Sequence, residues 1–327
     1  MRLLRSPLRL AKQPAIWSLS LFAWVMYWAL RKRSLETRFK VSLAIFSLVY
    51  RLWGGGRGRL ERNLSLIRPD LEASEIARGA RRIVGTLAWS WAAMIGNEYT
   101  SLDEVAQRSE VSGIEPLLEH HRAGNKVIIA IDHVGPFDEL FGLVSVLGLR
   151  VYLPVEAMRL GWLMRSMMRL RSSFGNVLME PVEKGETLSR SARHLAEGRQ
   201  VVLLIDITRR GGSGVLCQIG AAQARFPVGA IKLALEEDAT IFPAFPCWMH
   251  DGKIRLVIGV PFELVSTADL NRDIEINTRR LIEGLYAPHI QENWDSWLRS
   301  LWSNLEPAQP GKGEANAPGR YPETRCP

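Results

Sequence analysis

The stretch VIIAIDHVGPFDELFG, from Val127 to Gly142, decides how the rest of the chain is read. Val127 to Ile131 is an unbroken apolar run, mostly β-branched, the composition of a strand buried on both faces in a parallel sheet with helices over it. Asp132 and His133 then leave the strand, Gly135 and Pro136 mark a tight turn, and Phe137 to Leu147 carries apolar residues at helical spacing. Pro136 suits the first turn of that helix, where a missing N–H leaves nothing unsatisfied. His133 is therefore expected at the carboxyl end of a central strand, where open α/β sheets place their chemistry. Asp138 returns toward it from the next helix, and an imidazole whose tautomer a carboxylate fixes is a general base. Spacing alone is weak support: six His and 34 acidic residues in 327 supply about 0.6 His-x4-acid pairs by chance. A histidine packed at a strand end, with Asp138 merely capping the helix, fits the local residues equally well.

Strand and helix alternate from Val105 onward. Strand candidates are Val127 to Ile131, Leu149 to Leu153, Asn176 to Met179, Val201 to Ile205, Thr240 to Phe245 and Ile254 to Ile258. Helices are expected between them at 137–147, 160–172, 185–198 and 228–237, with a last one over 268–301. The pattern predicts an α/β fold with a mixed, mostly parallel sheet flanked by helices.

A second polar cluster closes another buried strand in VVLLIDITRRGGSG, residues 201–214. Asp206, Thr208 and Arg209 follow that strand's carboxyl end, and a guanidinium there can hold a phosphate in bidentate fashion. A solvated loop with a surface ion pair is the plainer alternative. Arg165, Arg169 and Arg171 face the same cleft or coat an amphipathic helix.

The net charge of +8 is unevenly spread. Residues 1–62 hold 13 Lys or Arg against Glu36 and Glu61, so all the excess basicity lies in the N-terminal fifth. Nucleic-acid enzymes more often carry it on the catalytic body, whereas a basic arm flanking apolar segments suits anionic lipid. Pro14 to Leu30 is uncharged, Trp-rich and bounded by Arg or Lys. It is shorter than the roughly 20 residues of a spanning helix, and we expect an interfacial or re-entrant anchor, with a true span as the alternative. Val41 to Trp53 reads as a second apolar helix, ended by the glycines at 54–56. A basic connector follows, and a long helix is expected from about Leu71 to Tyr99. The organisation expected is then membrane-anchoring helices over 1–62, a catalytic domain over 63–304 and a disordered tail over 305–327.

Other chemistries lack their motifs. Gly211-Gly212-Ser213-Gly214 is followed by Val215, so there is no Gly-x-Ser-x-Gly elbow. Neither a P-loop nor Gly-x-Gly-x-x-Gly occurs. Cys217, Cys247 and Cys326 form no C-x-x-C pair, and Asp132, His133 and Asp138 gain no second ligand group at metal spacing, so neither metal nor cofactor is expected.

Five blocks, taken in order, resemble the lysophospholipid acyltransferase superfamily and, within it, the bacterial lipid A biosynthesis acyltransferases. RLERNLSLIRPDLEASEIAR resembles the Arg-Asn-Leu and Pro-Asp/Glu lead-in, and DHVGPFDE the His-x4-Asp/Glu block. RSSFGNVLME resembles an Arg-and-Gly block before a strand. LAEGRQVVLLIDITRR stands where the superfamily has Glu-Gly-Thr-Arg or Asp-Gln, with Ile207 in place of Gly or Gln. ARFPVGAIKLALEEDATIFPAF carries Gly229, Leu233, Ala234 and Pro243. Val134 to Phe137 depart from the usual filling of the histidine block.

The resemblance implies transfer of a fatty acyl group from an acyl-carrier-protein or CoA thioester to a hydroxyl of a membrane glycolipid or phospholipid. It implies His133 as general base oriented by Asp138, with backbone N–H groups near Phe137 facing the oxyanion, and Arg171, Asp206, Thr208 and Arg209 on the acceptor's polar group. It also implies the cytoplasmic face of a bacterial inner membrane, an anionic surface as partner and no nucleic acid. Two rivals remain at this stage. One is a catalytically silent lipid-binding protein of the same fold, which predicts His133 and Asp138 out of hydrogen-bond reach. The other is a metal-dependent hydrolase using Asp132, His133 and Asp138.

Overall fold

The computed structural model describes residues 13–156, 161–183, 185–208, 214–249 and 252–308. A seven-stranded sheet organises it, formed by β1 (Ser109–Ser112), β2 (Val127–Ile131), β3 (Val151–Glu156), β4 (Val177–Val182), β5 (Gln200–Leu204), β8 (Thr240–Trp248) and β9 (Ile254–Ile258) in the order β1-β9-β8-β2-β5-β3-β4. Every pairing is parallel except β8 with β9. All five residues of β2 are buried, as a strand covered on both faces requires. Ile128 and Ala130 join one core with Tyr152, Val201 and Phe245, while Val127, Ile129 and Ile131 join the opposite core with Phe137, Phe141 and Met168. That split is the two-residue period of a strand.

The expected strands are all present with small shifts of their ends, and two features escaped pattern reading. Strand β1 is the polar edge sequence SEVS, half-buried, with no apolar run to mark it. Strands β6 (Val215–Ile219) and β7 (Ala222–Phe226) form an antiparallel hairpin. Strand β10 (Glu306–Pro307) pairs with β7, so the first residues of the expected tail extend this small sheet, and Leu305 is buried. Residues 309–327 lie outside the described part of the chain.

Among the described residues the chain begins with the helices α1 (Gln13–Leu30), α2 (Leu35–Leu52), α3 (Gly54–Ile67) and α4 (Ala73–Gly96). The glycines at 54–56 start a helix rather than a connector, because Leu60, Leu64 and Ile67 at helical spacing bury completely in the main core. Glu72 and Glu75 form a capping box at the start of α4. The remaining helices are α5 (Leu102–Gln107), α6 (Glu115–Arg122), α7 (Leu140–Val146), α8 (Gly161–Arg171), α9 (Thr187–Ala196), α10 (Gly229–Glu237), α11 (Leu270–Leu281) and α12 (Ala287–Glu292). The single long helix expected over 268–301 is divided: a π turn, Ile282–Tyr286, separates α11 from α12. That turn aims the buried Tyr286 hydroxyl between two central strands, where it donates to the Ala130 carbonyl (2.6 Å) and accepts from the Ala244 N–H (3.2 Å). A π turn at such a place is a local adjustment of helix phase.

Gly220 opens the two-residue loop of the β6–β7 hairpin at φ +60°, and a Cβ there would stand 2.2 Å from the Ile67 carbonyl oxygen. Both the positive φ and the rigid backbone neighbour oppose any side chain. We expect Gly220→Ala to destabilise the fold by about 1–3 kcal/mol, read as a lower urea midpoint with unchanged slope.

Candidate active site

Strands β2 and β5 lie side by side with Ile131 opposite Leu204. Each chain continues in step, since the Ile205 N–H donates to the Ile131 carbonyl (3.0 Å). Two residues past that pair stand His133 on one strand and Asp206 on the other. The His133 ring meets Asp206 through Nδ1 and Oδ1 at 2.7 Å, and the His133 backbone N–H donates to Oδ2 at 2.9 Å. The Trp297 indole N–H also donates to Oδ2 (2.7 Å). With Nδ1–H given to Asp206, Nε2 carries the lone pair, and the side chain keeps 17% of its surface exposed while Asp206 keeps none.

The C-terminal segment locks this turn in place. Gly135 donates to the Ser296 carbonyl (3.1 Å), Leu298 donates to the His133 carbonyl (2.9 Å), and Val134 pairs with Trp297 in an antiparallel bridge. Pro136 sits at the centre of a three-residue turn closed by Phe137 N–H to Gly135 carbonyl (2.8 Å). The Phe137 N–H, considered above for an oxyanion, is thereby engaged within the turn.

Asp138 does not orient the histidine. It lies in the one-turn 3-10 helix Phe137–Glu139 that this turn directs away, and its Oδ1 meets Arg171 Nε at 2.5 Å, with both side chains largely buried. The orienting carboxylate is Asp206, which the sequence reading had assigned to the acceptor. Strands VIIAID and VVLLID both end in Ile-Asp, but sequence alone does not say that they are neighbours. Arg171 stands on α8 over the rings of Phe137 and Phe141. Thr208 is half-buried two residues past Asp206, and Arg209 lies outside the described residues. Asp132, His133 and Asp138 turn to separate surroundings, and among the described residues no three His, Cys, Asp or Glu side chains converge as metal ligands.

Asp132 and Asp206 are both fully buried beneath the histidine. Burial alone would raise Asp206; the charge and hydrogen bond of His133, with Arg299 and the backbone N–H, outweigh it and hold the carboxyl below its ordinary range. Burial, and then the negative charge of Asp206, push Asp132 well above its ordinary range. The two neighbouring buried carboxyls are thus pushed in opposite directions, Asp132 toward its neutral form and Asp206 toward its ionised one. Asp132 Oδ1 accepts from the Val134 N–H (3.3 Å), and Oδ2 lies 3.7 Å from Nε2 of His289, itself buried and lowered to about 4 by that burial.

Beside the histidine the surroundings turn apolar. The Phe137 ring lies 5.1 Å from the His133 ring, and Phe137 also lines an enclosed cavity of about 50 Å³ walled only by apolar side chains, among them Ile129, Ile131, Phe141 and Leu153.

A histidine hydrogen-bonded to a carboxylate at the carboxyl ends of adjacent parallel strands, packed on a wall of a hydrocarbon-lined cavity, marks the candidate site of an α/β protein. Sequence comparison narrows the class: the model of the bacterial lipid A biosynthesis acyltransferases matches residues 6–302, and the chain belongs to that family. It is also similar to the phosphatidylinositol mannoside acyltransferase of Mycolicibacterium smegmatis, 26% identical over 206 residues. That match covers 62% of this chain and 66% of the relative, so it spans just under two thirds of the relative's length. Family membership supports acyl transfer to a lipid as the reaction class.

The raised Asp132 has a consequence for stability. A carboxyl whose folded pKa exceeds its unfolded value stabilises the fold fully only below the unfolded value, and that contribution falls as pH climbs through the folded one. We expect Asp132→Asn, which keeps an acceptor for Val134, to melt above the parent protein at neutral pH. The gap should close as pH falls toward the unfolded carboxyl value of about 3.9, followed by thermal melts across that range.

Proposed function

We propose that this chain is an O-acyltransferase that moves a fatty acyl group from an acyl-carrier-protein or CoA thioester to a hydroxyl of a membrane glycolipid or phospholipid. One observation carries the reading: a buried carboxylate holds Nδ1 of His133, whose ring packs on Phe137, a wall of an apolar cavity. Nε2 takes the acceptor hydroxyl's proton as its oxygen attacks the thioester carbonyl. The tetrahedral intermediate collapses by breaking the C–S bond, and the imidazolium returns the proton to the departing sulfur. The products are an ester and a free thiol. Asp206 fixes the tautomer and stabilises the imidazolium, as the carboxylate of a hydrolase triad does. Phe137 and the cavity behind it receive the first methylenes of the acyl chain, and the cavity widens when the chain enters. Arg171, braced by Asp138, faces the acceptor's polar group with Thr208.

The N-terminal helices fit a membrane surface. Trp24, Trp28, Leu52 and Trp53 are exposed, and the cationic excess of residues 1–62 suits the anionic cytoplasmic face of a bacterial inner membrane. No helix among the described residues is long and apolar enough to cross a bilayer, so attachment is monotopic in this reading.

The silent lipid-binding alternative draws on one observation, the turning of Asp138 toward Arg171. Kinetics of the purified chain with acyl thioester and membrane lipid separate the two. His133→Ala and Asp206→Asn should each lower turnover by about 10²–10⁴, whereas Asp138→Asn should lose less in kcat and more in KM. Full activity in His133→Ala ends the general-base assignment; an Asp138→Asn loss exceeding that of Asp206→Asn returns the orienting role to Asp138.

A further inference from the structure

A second, much larger cavity lies away from the His133 turn. It has a volume of about 770 Å³, within the roughly 300–1,000 Å³ of small-molecule pockets. Helices α1, α2, α4 and α8 enclose it. Its walls are hydrocarbon and aromatic, including Trp28, Phe46, Trp91, Met94 and Leu170, with Ser42 as a small residue on the α2 side. The pocket opens to the surface, with the half-exposed Phe22, Trp24, Trp28 and Tyr99 along its mouth.

Its rim is charged and unequally neutralised. Glu98 accepts from both the Tyr27 hydroxyl and Arg169, so those three groups satisfy one another. Arg31 has no carboxylate partner among the described residues. Its guanidinium rests on the Trp28 ring, 3.4 Å from the ring centre, with the Tyr27 and Tyr99 rings within 5.7 Å, and Lys32 lies over Tyr99. An aromatic platform holds the Arg31 cation while leaving its N–H groups for an anion, and guanidinium geometry favours phosphate oxygens. The same rim runs into the exposed apolar face of Phe22, Trp24 and Trp28.

We propose that this cavity is a binding site for one anionic membrane phospholipid, its acyl chain among Trp91, Met94 and Leu170 and its phosphate on Arg31. The occupant follows from the two halves of the site: a largely apolar pocket opening through exposed tryptophans, and a cation without a carboxylate partner among the described residues at its mouth. It is distinct from the small cavity at Phe137. The two sites share α8, where Leu170 lines the lipid chamber and Arg171 holds Asp138. The site does not require transfer by His133.

The test uses the full chain carrying His133→Ala, so that turnover cannot consume bound lipid and a failure here is separate from failure of the acyltransferase reading. The purified protein in detergent is given phosphatidylglycerol or phosphatidylcholine and examined by native mass spectrometry after dilution. Retention is the readout because an exposed apolar face alone would give vesicle association without a held lipid. One phosphatidylglycerol per chain should be retained about tenfold more tightly than phosphatidylcholine, equivalent to about 1.4 kcal/mol. Arg31→Gln, on the half-exposed rim, should abolish that preference, and Ser42→Phe should reduce retention of both lipids at least about tenfold by filling the chamber. No retained lipid, a preference unchanged in Arg31→Gln, or parent-like retention in a Ser42→Phe protein with a parent-like melt would each overturn the proposal.

Discussion

Ile131 faces Leu204 across two parallel strands, and the structure of the site follows from that register. In a parallel pair the chains leave the sheet in step, so side chains two residues beyond a facing pair emerge next to each other. His133 and Asp206 meet at 2.7 Å for this reason. A slip of one residue would reverse the face of every side chain on the strand. The apolar cores on both sides of the sheet prevent that slip, because it would carry Ile128 and Ile129 into each other's places. Packing of hydrocarbon thereby fixes the placement of the imidazole and its carboxylate partner.

The polar groups around this pair are few and closely assigned. Asp206 has three donors in the His133 ring, the His133 backbone and Trp297, which together keep it ionised in a buried place. Asp132, with one backbone donor and a charged neighbour, is held neutral instead. Asp138 is matched to Arg171. Asp132, Asp138 and Asp206 therefore have three separate surroundings, set by which donors reach them. Trp297 links this arrangement to the far end of the chain, since the segment from Ser296 to Leu298 closes over the histidine turn by backbone hydrogen bonds.

The N-terminal helices combine two kinds of surface. Leu60, Leu64 and Ile67 on α3 complete the main core, so this region is part of the folded body. Helices α1 and α2 turn other large apolar residues outward and enclose a chamber against α4 and α8. Buried and exposed hydrocarbon lie on adjacent helices here, with the cations of residues 1–62 around them. Helix α8 spans the distance from that side to Asp138.

Much of the architecture was legible in the residue pattern. Five consecutive apolar residues before an Asp-His pair mark a buried central strand, and alternation with helical periods marks a mostly parallel sheet. Local chemistry was legible too: Pro136, Gly135 and the apolar run after them require a turn and then a helix. The polar edge strand β1, the small-residue hairpin of β6 and β7 and the π turn before Tyr286 left no comparable signal, because their stability comes from neighbours distant in the chain. The histidine itself was identifiable from its place at a strand end. Its partner was not, since Asp138 is near in sequence and Asp206 is 73 positions away. Sequence by itself determined the apolar strands of the main sheet and which polar residues end them. Tertiary structure decided which ends are adjacent, because strand order and register arise from the packing of whole sheet faces.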